Sequence, residues 1–251
     1  MSTFEHERAA QALLDARRTR RWIEALPPGT QPAQESDAYA IQELVAAELG
    51  AVMGWKVGAA TLHSEPSRAP LHAATLFENG DLPAQMFHVM GVEAEIVYRL
   101  GRDLPPRERP YAREEILAAV HTMHPAIEIV DTRFASLSSI YALCQRADQQ
   151  NHGALAIGPG LEEWSDIDPP RQIVRLTIND SLARENTGGN SAVDPVRLLQ
   201  WLASRGSSRL GGLKAGQIIT TGSCTGTIFV EPGARVRAEF PGLGTVELAI
   251  A

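Results

Sequence analysis

Several residue types are scarce in this 251-residue chain, and each scarcity excludes a class of protein. The two cysteines, Cys144 and Cys224, are too few for a disulfide framework and lack the paired spacing of a zinc site. The formal net charge is -7 and strong basic clusters are missing, which argues against nucleic acid and anionic membranes as partners. Apolar runs stay well short of the roughly 20 residues that a membrane span requires.

The N-terminal 26 residues are charged throughout and contain no apolar stretch of the kind found in secretory signals. Together with the scarcity of cysteine, this composition predicts a reduced, cytoplasmic protein. The length and the hydrophobic content of 44% fit one large domain, or a core domain with a small extension.

The most informative stretch is the apolar run 91–100, which contains two glutamates two residues apart. Its β-branched and aliphatic residues predict a strand, so Glu93 and Glu95 point to the same face. Glu128 lies within a second strand-like run, 124–131. Neighbouring carboxylates repel, and hard divalent cations prefer oxygen ligands. The three acids therefore indicate a metal site, and the alternative is the solvent-facing side of an edge strand.

Lysine is also rare, because Lys56 and Lys214 are the only two among 23 basic residues. A lysine can titrate near neutrality when its surroundings shift its pKa, whereas arginine stays charged. Lys56 lies in the glycine-flanked run 54–58, which predicts a short strand. Lys56 is therefore a candidate for proton transfer, and Lys214, beside a glycine turn, is interpreted as a structural or exposed residue.

The chain divides into a helical N-terminal region, residues 1–50, and a β-rich catalytic domain, residues 51–251. Helix-forming patterns are predicted over 3–26, 36–49, 112–122, 137–147 and 194–204. Strands are predicted over 54–58, 92–100, 124–131, 152–158, 172–179, 217–221, 226–230, 234–240 and 245–250. The polar, proline-containing stretch 62–72 predicts a loop that serves as a mobile lid.

A set of short motifs occurs in a specific order along the chain. They are Gly-Trp-Lys-Val-Gly at 54–58, Glu-Ala-Glu at 93–95, Pro-Ala-Ile-Glu at 125–128, the run 214–222, Glu-Pro-Gly at 231–233 and Pro-Gly-Leu-Gly at 241–244. From about residue 36 to its end the chain resembles the fumarylacetoacetate hydrolase superfamily. It is most similar to the 2-keto-4-pentenoate hydratase and 4-oxalocrotonate decarboxylase branch.

The resemblance implies an α+β fold, with a helical N-terminal region followed by a mixed β-barrel-like roll of the fumarylacetoacetate hydrolase C-terminal type. It also implies Mg²⁺ or Mn²⁺ as cofactor, with Glu93, Glu95 and Glu128 as metal ligands. The active-site lysine of the family corresponds to Lys56. A nearby cation disfavours an ammonium group, so we expect the pKa of Lys56 to be lowered.

Five further residues are candidates through the resemblance. Thr221 and Gly222 lie where the family holds substrate or metal-bound water, although a plain strand-end turn explains them equally well. Arg133 either binds a substrate carboxylate or pairs with a neighbouring acid. Asp148 matches an acid of the branch and is either catalytic or a loop-organising residue. Glu78 follows Phe77 and is the candidate replacement for an aspartate that the branch carries after the corresponding phenylalanine.

These assignments imply a metal-dependent lyase that acts on a small 2-oxo acid. The main interpretation is a hydratase that adds water to a 2-hydroxy-2,4-dienoate or 2-oxo-enoate and gives a 4-hydroxy-2-oxo acid. The alternatives are a 2-oxo-3-enedioate decarboxylase of the 4-oxalocrotonate type, an acylpyruvate-type C–C hydrolase, and a non-catalytic partner subunit. The resemblance also implies a homo-oligomer and an association with another enzyme of the same pathway.

Overall fold

The computed structural model describes residues 1–78, 80–137 and 140–251. Asn79 and the 138–139 part of the helix predicted over 137–147 lie outside the described residues. The described helices are α1 Thr3–Thr19, α2 Glu35–Leu49, α3 Arg113–Leu117, α4 Ala142–Ala147 and α5 Pro195–Trp201. Within the described ranges, every helix is too short or too polar to span a bilayer.

The N-terminal helices pack as a layer of their own. A capping box of Ser2 and Glu5 starts α1, and Arg20, in the left-handed conformation, ends it well before the predicted residue 26. The buried faces of α1 and α2 meet α4 and Phe134 in a separate hydrophobic cluster. The predicted boundary near residue 50 falls between α2 and the first strand.

Two sheets make up the rest of the described chain. The larger sheet has the order β2-β1-β10-β5-β6-β7-β3, and β11 pairs with β5. Its strands are β1 Val52–Gly58, β2 Ser67–His72, β3 Leu76–Glu78, β5 Gly91–Leu100, β6 Val120–Val130, β7 His152–Ile157, β10 Ile218–Ser223 and β11 Ile228–Phe229. The smaller sheet, in the order β4-β13-β12-β8-β9, contains β4 Gly80–Leu82, β8 Ile173–Ile178, β9 Ser181–Thr187, β12 Arg235–Phe240 and β13 Gly244–Ile250.

The main core lies between these sheets. Alternate residues of β5, from Val92 to Tyr98, are buried there together with apolar residues of β12 and β13. The period of two along a strand sends Glu93 and Glu95 to the opposite face of β5. The core therefore fixes which face of the larger sheet carries the carboxylates.

Other predicted elements also differ from the structure. The predicted lid over 62–72 is wrong for its second half, because Ser67–His72 forms β2 and pairs antiparallel with β1. Pro70 is the reason that this strand was not predicted, because proline is typical of loops. The structure tolerates Pro70 because β2 lies at a sheet edge. The helix predicted over 112–122 ends at Leu117, since β6 begins at Val120.

Candidate metal centre and active site

The antiparallel pairing of β5 and β6 brings the three predicted carboxylates together. Glu93 lies directly opposite Glu128 in the register, and Glu95 lies opposite Ala126. One ligand oxygen from each glutamate lies within 4.8 Å of the other two. Glu95 and Glu128 are buried and Glu93 is half-buried. Like charges placed directly opposite in a sheet are destabilising, so this arrangement requires compensation.

Each of these carboxylates has one oxygen held by protein donors. Glu95 Oε2 accepts from the Thr220 hydroxyl and from the Gly222 N–H, the latter at 3.0 Å. Glu93 Oε1 accepts from the Thr227 hydroxyl. Among the described residues, the second oxygen of each of these two glutamates has no hydrogen-bond donor. The donors orient the carboxylates and leave an oxygen of each available.

Lys56 provides positive charge on one side of the cluster. The parallel pairing of β1 and β10 places it opposite Thr220, and its Nζ lies 2.6 Å from Glu128 Oε1. A second donation reaches the Gln150 carbonyl at 3.1 Å. Burial opposes the ammonium form, but the charges of Glu128 and Glu95 outweigh it and raise the pKa of Lys56. The predicted lowering applies to Lys56 beside a bound cation, and it stays a prediction.

The charges of the cluster are unbalanced, since three carboxylates face one lysine. Burial and the charge of Glu128 raise the pKa of Glu93, and they raise that of Glu95 well above its usual range. Burial acts in the same direction on Glu128, but Lys56 and a hydrogen bond from His152 lower its pKa to about 2. Ionisation of all three acids requires further positive charge, so the donor set fits a hard divalent cation.

An open cavity of about 600 Å³ adjoins the cluster. Lys56 and Glu93 form part of its wall, next to Gln150 and Asn151. The Asn151 Oδ1 is buried and has no hydrogen-bond partner among the described residues. Buried polar atoms are normally paired, so this atom marks a place for a ligand or water donor. The remaining lining residues are Val130, Leu137, Gln145, Thr227 and Phe229.

Comparison with known proteins places this geometry in a family. The family model for the fumarylacetoacetate (FAA) hydrolase C-terminal region matches residues 69–251. The chain belongs to the fumarylacetoacetate hydrolase family. It is 31% identical over 265 residues to a 2-keto-4-pentenoate hydratase of Paraburkholderia xenovorans, covering 98% of this chain and 95% of that protein. The resemblance predicted from the ordered motifs is therefore confirmed.

Two proteins named as decarboxylases are also similar to this chain. A 4-oxalocrotonate decarboxylase of a Pseudomonas species is 28% identical over 178 residues, covering 68% of this chain and 65% of that protein. The solved structure of the 4-oxalocrotonate decarboxylase of Pseudomonas putida G7, complexed with magnesium and adipate, superimposes with a TM-score of 0.88. It is 19% identical and covers 100% of this chain and 99% of that one, so the predicted fold class is confirmed.

In this member of the fumarylacetoacetate hydrolase family, Thr221 and Gly222 lie beside the cluster in different ways. Gly222, at φ 92°, has the left-handed backbone that glycine adopts without strain, and its N–H donates to Glu95. The Thr221 hydroxyl instead donates to the Ile96 carbonyl at 3.1 Å. Along β10 it is the neighbouring Thr220 whose hydroxyl reaches Glu95.

Arg133 and Asp148 contact each other rather than the carboxylate cluster. Arg133 Nε donates to Asp148 Oδ1 at 2.6 Å, and Arg17 of α1 donates to the same oxygen at 3.3 Å. Arg133 is 3% exposed and Asp148 is fully buried. This buried ion-pair network joins the N-terminal helices to the loop that precedes β7.

Glu78 lies at the end of β3 and is exposed. It lines a different cavity, of about 550 Å³, together with Phe77, His124 and Gly160. The structure therefore brings together Lys56 and the three carboxylates, and it places Glu78 in separate surroundings.

Sequence reasoning missed several residues that contact the carboxylates or Lys56, or that line the cavity beside them. They are Thr220, Thr227, Gln150, Asn151 and His152. Thr220 and Thr221 are neighbours on one predicted strand, and only the pairing of Thr220 with Lys56 in the structure distinguishes them. For the other four, the contacts depend on how distant segments meet, and local pattern carries no such signal.

Cys224 lies behind the cluster and is buried. Burial and the charges of Glu95 and Glu93 raise the pKa of its thiol to about 12. Because the thiolate is the nucleophilic form, Cys224 is unsuited to nucleophilic catalysis.

Proposed function

We propose that this protein is a divalent-metal-dependent hydratase, a lyase that adds water to a small 2-hydroxy-2,4-dienoate or 2-oxo-enoate to give a 4-hydroxy-2-oxo acid. The observation that carries the proposal is the carboxylate triad with Lys56 against it, Nζ lying 2.6 Å from Glu128 Oε1. The similarity to proteins named 2-keto-4-pentenoate hydratase, over nearly the full length of both chains, supports the substrate class.

Glu93, Glu95 and Glu128 are the residues that would hold Mg²⁺ or Mn²⁺. When bound, the ion supplies positive charge that stabilises negative charge developing on the oxygens of a 2-oxo acid. Thr227, Thr220 and the other donors keep the carboxylates oriented before the ion arrives.

Lys56 is the proposed proton carrier. An ammonium group has three N–H donors, and two of them are taken by Glu128 and the Gln150 carbonyl. The third is left for the substrate, and Lys56 forms part of the cavity wall. A positioned acid of this kind accelerates a proton transfer by about 10²–10⁴-fold. Asn151 is the proposed contact for substrate or water on another side of the site, because the Thr221 hydroxyl and the Gly222 N–H are already taken by the Ile96 carbonyl and by Glu95.

The test is a turnover assay with added Mg²⁺ or Mn²⁺. One substrate is 2-hydroxypenta-2,4-dienoate and the other is a 2-oxo-3-enedioate, with conjugated absorbance and released CO₂ as readouts. Metal-dependent loss of the dienoate without CO₂ is the expected result. Glu93→Gln is the control, because it keeps the side-chain shape and removes one anionic ligand, and it should abolish turnover.

Other outcomes assign the protein to one of the alternatives. Release of CO₂ from the diacid would make it a decarboxylase, as the 28%-identical relative is named. Turnover of neither substrate by the metal-loaded protein would contradict the proposed function. A homo-oligomer, an association with another pathway enzyme and a cytoplasmic location remain predictions, and size-exclusion chromatography with light scattering tests the first of them.

A further inference from the structure

Glu128 differs from the other two carboxylates in how its oxygens are used. Lys56 Nζ, at 2.6 Å, and His152 Nδ1, at 2.9 Å, both contact Oε1. Among the described residues, Oε2 has no hydrogen-bond donor. Two donors on one oxygen fix the rotation of the carboxylate and leave the other oxygen unshared.

Protein groups contact both ring nitrogens and the backbone carbonyl of His152. Its ring is 2% exposed, and its Nε2 lies 3.0 Å from the Thr75 hydroxyl oxygen. Its backbone carbonyl accepts from Arg133 Nη1 at 2.9 Å, and the Arg133 guanidinium is fixed by Asp148. Because an ionised carboxylate can only accept, the Nδ1 must carry the proton that faces Glu128.

The backbone before His152 is strained. Gln149, Gln150 and Asn151 have φ values of 50°, 54° and 57°, a left-handed turn of three consecutive non-glycine residues. Such a conformation is unfavourable for residues with a Cβ, so surrounding contacts must enforce it. The turn delivers three groups to the site, namely the Gln150 carbonyl to Lys56, Asn151 to the cavity and His152 to Glu128.

We propose that His152 is a positioning residue for the metal site, holding Glu128 by its Nδ1–H so that Oε2 is presented to a divalent cation. The inference rests on the proposed function only in taking Glu128 as a metal ligand. Hydrogen bonds to a ligand from outside the coordination shell typically contribute 10–100-fold to metal affinity. His152 is therefore expected to set the affinity for the ion.

The experiment compares His152→Leu with His152→Asn. The two replacement side chains have nearly the same shape, and only asparagine offers an N–H close to the position of Nδ1. Mn²⁺ is titrated calorimetrically into metal-free protein. His152→Leu should raise the Mn²⁺ Kd by about 10–100-fold, and His152→Asn should recover most of that loss. The Mn²⁺ concentration for half-maximal turnover should rise in parallel, with a smaller change in kcat at saturating Mn²⁺.

The matched control is His124→Leu. His124 is also buried on the larger sheet and bonds a threonine hydroxyl, Thr122, and a carbonyl, Gly158, but it contacts none of the three glutamates among the described residues. Its loss should leave the Mn²⁺ Kd unchanged. An unchanged Kd in folded His152→Leu, or equal losses in His152→Leu and His152→Asn, would overturn the proposal.

A second variant decides the matter if His152→Leu does not fold. Thr75→Val removes the hydroxyl that orients the ring from the Nε2 side, so weaker Mn²⁺ binding supports the proposal and an unchanged Kd overturns it. Wild-type protein is titrated first. If it binds no divalent ion, the proposed function and this inference both fail. If it binds Mn²⁺ and turns over the dienoate while His152→Leu binds equally well, only the inference fails.

Discussion

Replacing Asp148 by asparagine separates a structural role from a catalytic one. Asp148 is fully buried and accepts from Arg17, Thr132 and both the backbone N–H and Nε of Arg133, at 2.6–3.4 Å. Among the described residues, Asp148→Asn keeps the shape but leaves Arg17 without its ion-pair partner and Arg133 with only Asp131, at 3.8 Å. Removing one partner of a buried ion pair costs about 3–5 kcal/mol. For a protein of this size, each kcal/mol lowers Tm by about 2–4 °C, so a decrease of about 6–20 °C is expected.

The assay is urea unfolding followed by tryptophan fluorescence, with a thermal scan alongside. Asp103→Asn is the control, because Asp103 pairs with Lys214 at 3.3 Å while both side chains are more than half exposed. Exposed pairs contribute less than about 1 kcal/mol. An Asp148→Asn protein that unfolds like the wild type would refute the reasoning. A variant with wild-type stability and no turnover would instead establish the catalytic role that the family resemblance implies.

Three further predictions concern the site and the N-terminal helices. Lys56→Met should lower kcat by about 10²–10⁴-fold, because it removes the proposed proton carrier. Mn²⁺ binding should be retained, because the lost ammonium group is a positive charge close to the ion. An unchanged kcat would show that Lys56 takes no part in the chemistry. Thr220→Val removes the hydroxyl donor to Glu95 and should raise the calorimetric Mn²⁺ Kd about 10-fold. Burial opposes ionisation of Asp37, but hydrogen bonds from His6 and a backbone amide outweigh it and lower its pKa. The contribution of ionised Asp37 to folding stability is therefore complete above the usual carboxylate pKa, and it is lost as the pH falls through the lowered pKa. Asp37→Asn should therefore reduce the pH dependence of the urea unfolding midpoint in that acid range.

Local pattern predicted much of what the strands contribute to the site. The period of two along 91–100 placed Glu93 and Glu95 on one face, and the structure has them there because the alternate residues fill the core. The same rule failed where local composition conflicted with tertiary context. Residues 67–72 contain proline and polar groups, yet they form an edge strand because pairing with β1 buries them.

Long-range pairing decided the rest of the site. The sequence does not tell whether Thr220 or Thr221 bonds Glu95. Only the register of β10 with β1 and β5 decides that the Thr220 hydroxyl does so. The His152 hydrogen bond to Glu128, and the Gln150 carbonyl that accepts from Lys56, depend on a left-handed turn beside a buried ion pair. Propensity rules disfavour such a turn, so the sequence gives no local indication of it.

The sequence by itself predicted the family, a metal site of three carboxylates and the candidate lysine, because these predictions depend on residue identity and on the fixed period of a strand. Only the tertiary structure decided that Glu93 faces Glu128 across two strands and that Lys56 reaches Glu128 from 72 residues away. It alone decided that His152 fixes the carboxylate of Glu128. The register of the strands and their order in the sheet are set by the packing of the whole core. The residues that determine this packing are far apart in the chain, so no local pattern reveals it.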